Sequence, residues 1–66
     1  MTVKMLLKYV ESHEGKINFI GTVDRDKEWK TCSEFEYPDE FLETEGSREV
    51  YAWGFQRVQK ILLIKF

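Results

Sequence analysis

Apolar residues occur along the chain in short runs, separated by polar turn signals at intervals of roughly ten residues. In the first run, Thr2–Ser12, most apolar side chains fall on alternate positions. Lys4 and Lys8 lie between them, and Leu6 and Val10 are the exceptions. The alternating apolar positions are Val3, Met5, Leu7 and Tyr9. Period-two alternation is typical of a half-buried strand, so this run is predicted to be a β-strand.

A second alternating run, Ile17–Asp24, follows the polar segment Ser12–Lys16. Its alternate positions are Ile17, Phe19, Gly21 and Val23. Gly15, within the polar segment, can adopt the positive φ that a tight turn requires. Two alternating runs joined by a glycine-containing turn predict a β-hairpin.

The third run, Glu28–Tyr37, comes after the polar turn Asp24–Lys27. A helix here would scatter the aromatic residues Trp29, Phe35 and Tyr37, whereas a strand places them on one face. A strand is therefore predicted, and Pro38 is expected to end it. Asp39–Glu45 could then form one helical turn, with Phe41 and Leu42 as its only apolar anchors.

The C-terminal stretch fits two periodicities, because several of its apolar residues also match a helical template. β-branched and aromatic residues are abundant, and Gly54 would cost a helix about 1 kcal/mol. We therefore predict two strands, Arg48–Phe55 and Val58–Lys65. A single long strand bent by a bulge at Gly54 is the competing interpretation.

Five short strands in meander order predict an all-β domain spanning residues 1–66. The expected architecture is a small five-stranded antiparallel SH3-like barrel or a strongly bent meander, with room for a short helical turn near 39–45. A chain this short gains little stability from burial alone. With one cysteine it forms no internal disulfide, so dense aromatic packing and self-association are the expected sources of stability.

Charge is unevenly distributed, since residues 24–49 hold ten of the twelve acidic residues and only four of the ten basic ones. The candidate acidic face consists of Glu34, Glu36, Asp39, Glu40 and Glu43. Such a face can simply keep a protein solvated. It can also attract a basic groove on a partner, and in the extreme case mimic a nucleic-acid backbone.

Residues suited to catalysis are scarce. His13 is the only histidine and lies in a glycine turn, and Cys32 has no evident base partner. No phosphate-binding loop, nucleophile motif or metal-ligand spacing occurs. We expect no enzyme activity, catalytic residue, metal, cofactor or small-molecule substrate. A single free thiol and the lack of an export signal or membrane-spanning segment favour a cytoplasmic protein with no membrane contact.

Two segments are candidates for partner binding. Tyr51, Trp53 and Phe55 would share one strand face, either as core of a curved barrel or as a platform for stacking nucleic-acid bases. The C-terminal run is apolar on both faces. Ile61 and Leu63 would lie on one face. Leu62, Ile64 and Phe66 would lie on the other.

An apolar strand of this kind must be central in its sheet or be covered by another surface. We therefore expect a homodimer or an obligate partner. The sequence favours a non-enzymatic protein-binding module that acts as a regulatory or accessory factor and self-associates. The alternatives are a nucleic-acid-binding barrel that uses Tyr51–Phe55, and an acidic inhibitor that mimics nucleic acid.

Overall fold

The first run folds as a helix, which corrects the strand predicted for it. In the computed structural model, which describes residues 1–66, α1 spans Val3–Glu14. Its buried residues follow the i, i+3, i+4, i+7 spacing of an amphipathic helix. They are Val3, Leu6, Leu7 and Val10. The two exceptions to the strand pattern, Leu6 and Val10, are thus core residues, whereas Met5 is 59% exposed and Tyr9 is 48% exposed.

Both ends of α1 carry capping features. The Thr2 hydroxyl accepts a hydrogen bond from the backbone N–H of Met5 at 3.3 Å, as an N-cap residue does. Gly15 ends the helix with φ 87°, and its N–H donates to the Glu11 carbonyl at 3.1 Å. Gly15 therefore takes the predicted positive φ, but it does so after a helix and not within a hairpin.

The second run forms the strand β1, Phe19–Val23, as predicted. The third run is mostly not a strand. Within it, Trp29–Thr31 is a short 3₁₀-helix, and the strand β2 is limited to Phe35–Glu36. Pro38 begins the next helix, α2, which spans Pro38–Glu45 and includes the predicted turn at 39–45. A proline in the first turn of a helix loses no hydrogen bond there.

The C-terminal stretch forms a hairpin of two strands, β3 (Ala52–Gln56) and β4 (Ile61–Lys65). Pairing runs without a break through Gly54, so no bulge lies there. Tyr51 lies just before β3, and its N–H donates to the Lys65 carbonyl at 2.8 Å although Lys65 is the register partner of Ala52.

The four strands form one open, mixed sheet in the order β2-β1-β4-β3. The central strands β1 and β4 are parallel, and each pairs antiparallel with its outer neighbour. The predicted five-stranded antiparallel barrel is therefore wrong. A parallel pair needs a long crossover connection, which here includes α2, and a meander has none.

One face of the sheet packs against both helices and forms the core. Ile20, Leu62 and Ile64 are fully buried there. They pack with the apolar residues of α1, with Ile17 and with Phe41 of α2. We call this the helix face. Because strand residues alternate between faces, the neighbours of these residues in β1 and β4 lie on the opposite side, the open face.

Segment 29–32 approaches the open face closely at Gly21. A Cβ atom at position 21 would lie 2.6 Å from the Cys32 Sγ and 2.9 Å from a ring carbon of Phe35. At Gly54, on the same face, a Cβ atom would meet nothing within 4 Å. Glycine is therefore needed at position 21 for close packing, whereas position 54 has free space.

Because α1 is a helix, substitutions at two adjacent residues should differ strongly in their effect on stability. Leu6→Ala should lower the free energy of unfolding by about 2–5 kcal/mol, because it leaves a cavity in the core. Met5→Ala should change it by less than about 0.5 kcal/mol, because Met5 is largely exposed. Urea unfolding of both variants checks this. A strand would give the reverse order.

The packing at Gly21 predicts a contrast between two glycines. Gly21→Ala should destabilise the fold by about 1–3 kcal/mol through overpacking against Cys32 and Phe35. Gly54→Ala, the matched control, should cost no stability. Equal urea midpoints for the two variants would contradict the close approach of segment 29–32.

Candidate protein interface

The open face of the sheet is apolar along its two central strands. Register pairs Phe19 with Ile61 and Gly21 with Leu63, so these residues share that face. Phe35 of β2 is the register partner of Gly21 and joins them. Both α-helices, α1 and α2, pack on the other side of the sheet and leave this face uncovered.

Segment 29–32 covers only one end of the open face. Cys32 packs over Gly21, and the Lys65 ammonium lies 4.7 Å from the centre of the Trp29 ring. Val23, at the same end, is only 6% exposed. Toward the start of β1 this cover is missing, and large side chains are left accessible.

The uncovered end carries three aromatic residues, which we call the aromatic patch: Phe19, Phe35 and Tyr37. Their exposed fractions are 38%, 47% and 62%. The rings of Phe19 and Tyr37 pack with centroids 5.5 Å apart. A groove of about 520 Å³ lies beside them, lined by Asn18, Phe19, Phe35, Gln59 and Ile61.

A second groove, of about 550 Å³, connects the aromatic patch to charged residues. Phe19 and Tyr37 line one part of it, and the first turn of α2 lines another. Its charged lining residues are Glu11, Lys16, Asp39 and Glu40. The two grooves share Asn18 and Phe19, so apolar and acidic surfaces meet at this corner of the molecule.

The predicted acidic residues lie in or just before β2, which is an outer strand, and in α2, which follows it. We call this set the acidic edge: Glu34, Glu36, Asp39, Glu40 and Glu43. All five are exposed, and none of them takes part in an ion pair. Their charges are therefore not neutralised within the chain, and they add to a negative potential along one side of the molecule.

Two members of the predicted aromatic trio lie within β3, and the third, Tyr51, lies just before it. Trp53 and Phe55 lie on the helix face, opposite Ile64 and Leu62 in register. Trp53 packs edge-on against Tyr9 of α1 at 6.0 Å, and Phe55 packs against the core. Tyr51 lies just before β3, outside its regular pairing, and is 64% exposed. These rings therefore do not form one continuous stacking platform.

Ile61 and Leu63 lie on the open face and are half-buried, whereas Leu62 and Ile64 are fully buried on the helix face. The run that is apolar on both sides is thus a central strand, with one face in the core and the other partly accessible. Ile61 lines the smaller groove beside the aromatic patch.

The single histidine and the single cysteine lie in separate places. The Nδ1 atom of His13 lies 2.8 Å from the Tyr9 carbonyl oxygen and 3.0 Å from the Ser12 hydroxyl, on the exposed side of α1. Cys32 is half-buried beside Gly21. No group of three or more His, Cys, Asp or Glu residues has the spacing of a metal site.

The sequence pattern does not single out the aromatic patch. It predicts a hairpin that contains Phe19 and a barrel strand that contains Phe35 and Tyr37. The available signal was the presence of large apolar residues on both sides of β1, since Phe19 is followed directly by Ile20. A two-layer fold covers only one of those sides, so one of the two must be accessible.

Neither helix combines the length and the apolar character that crossing a membrane would require. In comparisons with known proteins, no protein-family model, curated protein sequence or solved structure matches the chain.

Proposed function

We propose that this chain is a non-enzymatic, cytoplasmic binding module that acts as a regulatory or accessory factor through contact with another protein. The observation that carries the proposal is the exposed aromatic patch beside a groove on the open face. Contiguous apolar surface of this kind marks interaction sites on small proteins. Aromatic residues are also the side chains most enriched at the centres of protein interfaces.

The acidic edge defines the chemistry of the partner. It borders the aromatic patch, because the groove that contains Tyr37 also contains Asp39 and Glu40. A partner surface with an apolar side chain flanked by lysine or arginine would fill the groove and neutralise the free carboxylates. Charge complementarity of this type accelerates association and selects among partners.

Nucleic-acid binding is the weaker alternative. The exposed aromatic residues lie next to the acidic edge, where phosphate groups would be repelled, and Trp53 packs on Tyr9. An inhibitor that imitates a nucleic-acid backbone would use the acidic edge without the aromatic patch. Substitutions on the two surfaces therefore separate these possibilities.

Two tyrosines provide a matched test of the aromatic patch. Tyr37 and Tyr51 are 62% and 64% exposed, but only Tyr37 belongs to the patch. In affinity capture from a native lysate, Tyr37→Ser and Phe35→Ser should lose a protein that the wild-type chain and Tyr51→Ser both retain. Mass spectrometry of the eluates measures this. The proposal would be contradicted if only Tyr51→Ser failed to capture the protein, or if all four chains captured it equally.

The acidic edge predicts a salt-dependent association rate with the captured partner. Glu36→Lys should slow association and weaken its dependence on ionic strength, because it reverses a free charge beside the patch. Asp26→Lys makes the same change in net charge at an exposed residue outside the acidic edge, and should have a smaller effect. Surface plasmon resonance at several salt concentrations gives both rates.

The wild-type chain should pass through a column of single-stranded DNA at low salt without retention. Retention that is lost as salt increases would favour the nucleic-acid-binding alternative, because phosphate contacts weaken steeply with salt. A partner that is lost with Glu36→Lys but kept with Phe35→Ser would favour the acidic inhibitor.

A further inference from the structure

We propose that two copies of this chain pair through β3, edge to edge and antiparallel, about a two-fold axis at Gly54. The pairing would join two four-stranded sheets into one of eight strands. It uses a different surface from the open face, so it does not depend on the proposed partner site.

The two outer strands of the sheet differ in how well they are protected from pairing with another chain. β2 has only two residues and carries Glu36, with Glu34 just before it. Short length and charge are the features that prevent a sheet edge from pairing with another chain. β3 has five residues, Ala-Trp-Gly-Phe-Gln, with no charge and no proline, and its pairing with β4 is regular throughout. The edge that is open to strand addition is therefore β3.

The sequence of β3 is suited to pairing with itself. An antiparallel pair centred on Gly54 places Gly54 opposite the partner copy's Gly54, and Trp53 opposite the partner copy's Phe55. The two-fold axis also places Phe55 opposite the partner copy's Trp53. Cross-strand aromatic pairs stabilise antiparallel sheets, and no like charges meet in this register. This neutrality and self-complementarity select a second copy as the occupant, because a two-fold interface brings the same surface patch of both copies together.

The helix layer beside β3 is also apolar and accessible. Tyr9 of α1 packs edge-on against Trp53, and Met5 precedes it by one helical turn. The exposed fractions of Met5, Tyr9 and Trp53 are 59%, 48% and 38%. In the paired arrangement these side chains would border the strand contact and extend the buried area beyond the backbone hydrogen bonds.

The size of the molecule limits the strength of this contact. Its principal extents are 28 × 27 × 18 Å, so the edge of one chain offers no more than a small interface. We therefore expect a reversible dimer. Sedimentation velocity should show the mass of the wild-type chain rising from one chain toward two as concentration increases.

Position 54 allows a test with matched variants, because a Cβ atom there would meet nothing within 4 Å in the isolated chain. Gly54→Ala should dimerise as the wild type does. Gly54→Lys and Gly54→Glu should each raise the dissociation constant about fivefold, since like charges would then lie directly opposite. An equimolar mixture of Gly54→Lys and Gly54→Glu should recover dimers, because opposite charges would then face each other.

Three outcomes would overturn the proposal. The wild-type chain could stay monomeric at all concentrations, or Gly54→Lys could leave the dimer intact. The third is a mixture of Gly54→Lys and Gly54→Glu that associates no better than each variant alone. Phe35→Ser and Tyr37→Ser should still dimerise. Loss of dimers in these two variants, with Gly54→Lys unaffected, would assign self-association to the open face instead.

Discussion

The parallel pairing of β1 with β4 is the constraint on which the rest of this structure depends. Each of the five residues of β1 has a register partner in β4, and the pair places Ile20, Leu62 and Ile64 at the centre of the core. Two helices are enough to cover one side of this pair. The other side is covered only at one end, by the segment that contains the short 3₁₀-helix Trp29–Thr31. Accessible apolar surface on the open face follows directly from the topology.

How much of the fold could be predicted depended on whether each segment had one periodicity or two. β4 lies within the predicted strand Val58–Lys65, because β-branched and aromatic residues and the cost of Gly54 in a helix favour strands in a stretch that also fits a helical period. Val3 to Val10 satisfied both a strand pattern and a helix pattern. Burial of Leu6 and Val10 decides for the helix, and the Thr2 and Gly15 caps reinforce it. A strand in place of α1 favours a closed antiparallel barrel, and such a barrel contains no parallel pair.

The candidate surfaces were predictable to different degrees. The five residues of the acidic edge lie within ten consecutive positions, so their concentration along the chain is visible in the sequence alone. The aromatic patch depends on β1 and β2 pairing in one register, with Phe35 beside Gly21 and Tyr37 beside Phe19. No local pattern contains that information. Tyr51 similarly lies outside the β3–β4 pairing, so the strand alternation of Trp53 and Phe55 does not extend to it.

The position of β4 also shapes how this chain folds. The segment between Ile20 and Leu62 makes up most of the chain, and this loop must close before the central pair can form. Local structure in α1, α2 and the β3–β4 hairpin can appear earlier, but none of it completes the core. Folding is therefore dominated by long-range contacts, which slow it relative to a helical protein of the same size. Until β4 docks, β1 lacks its principal neighbour, and its apolar edge is open to pairing with other chains.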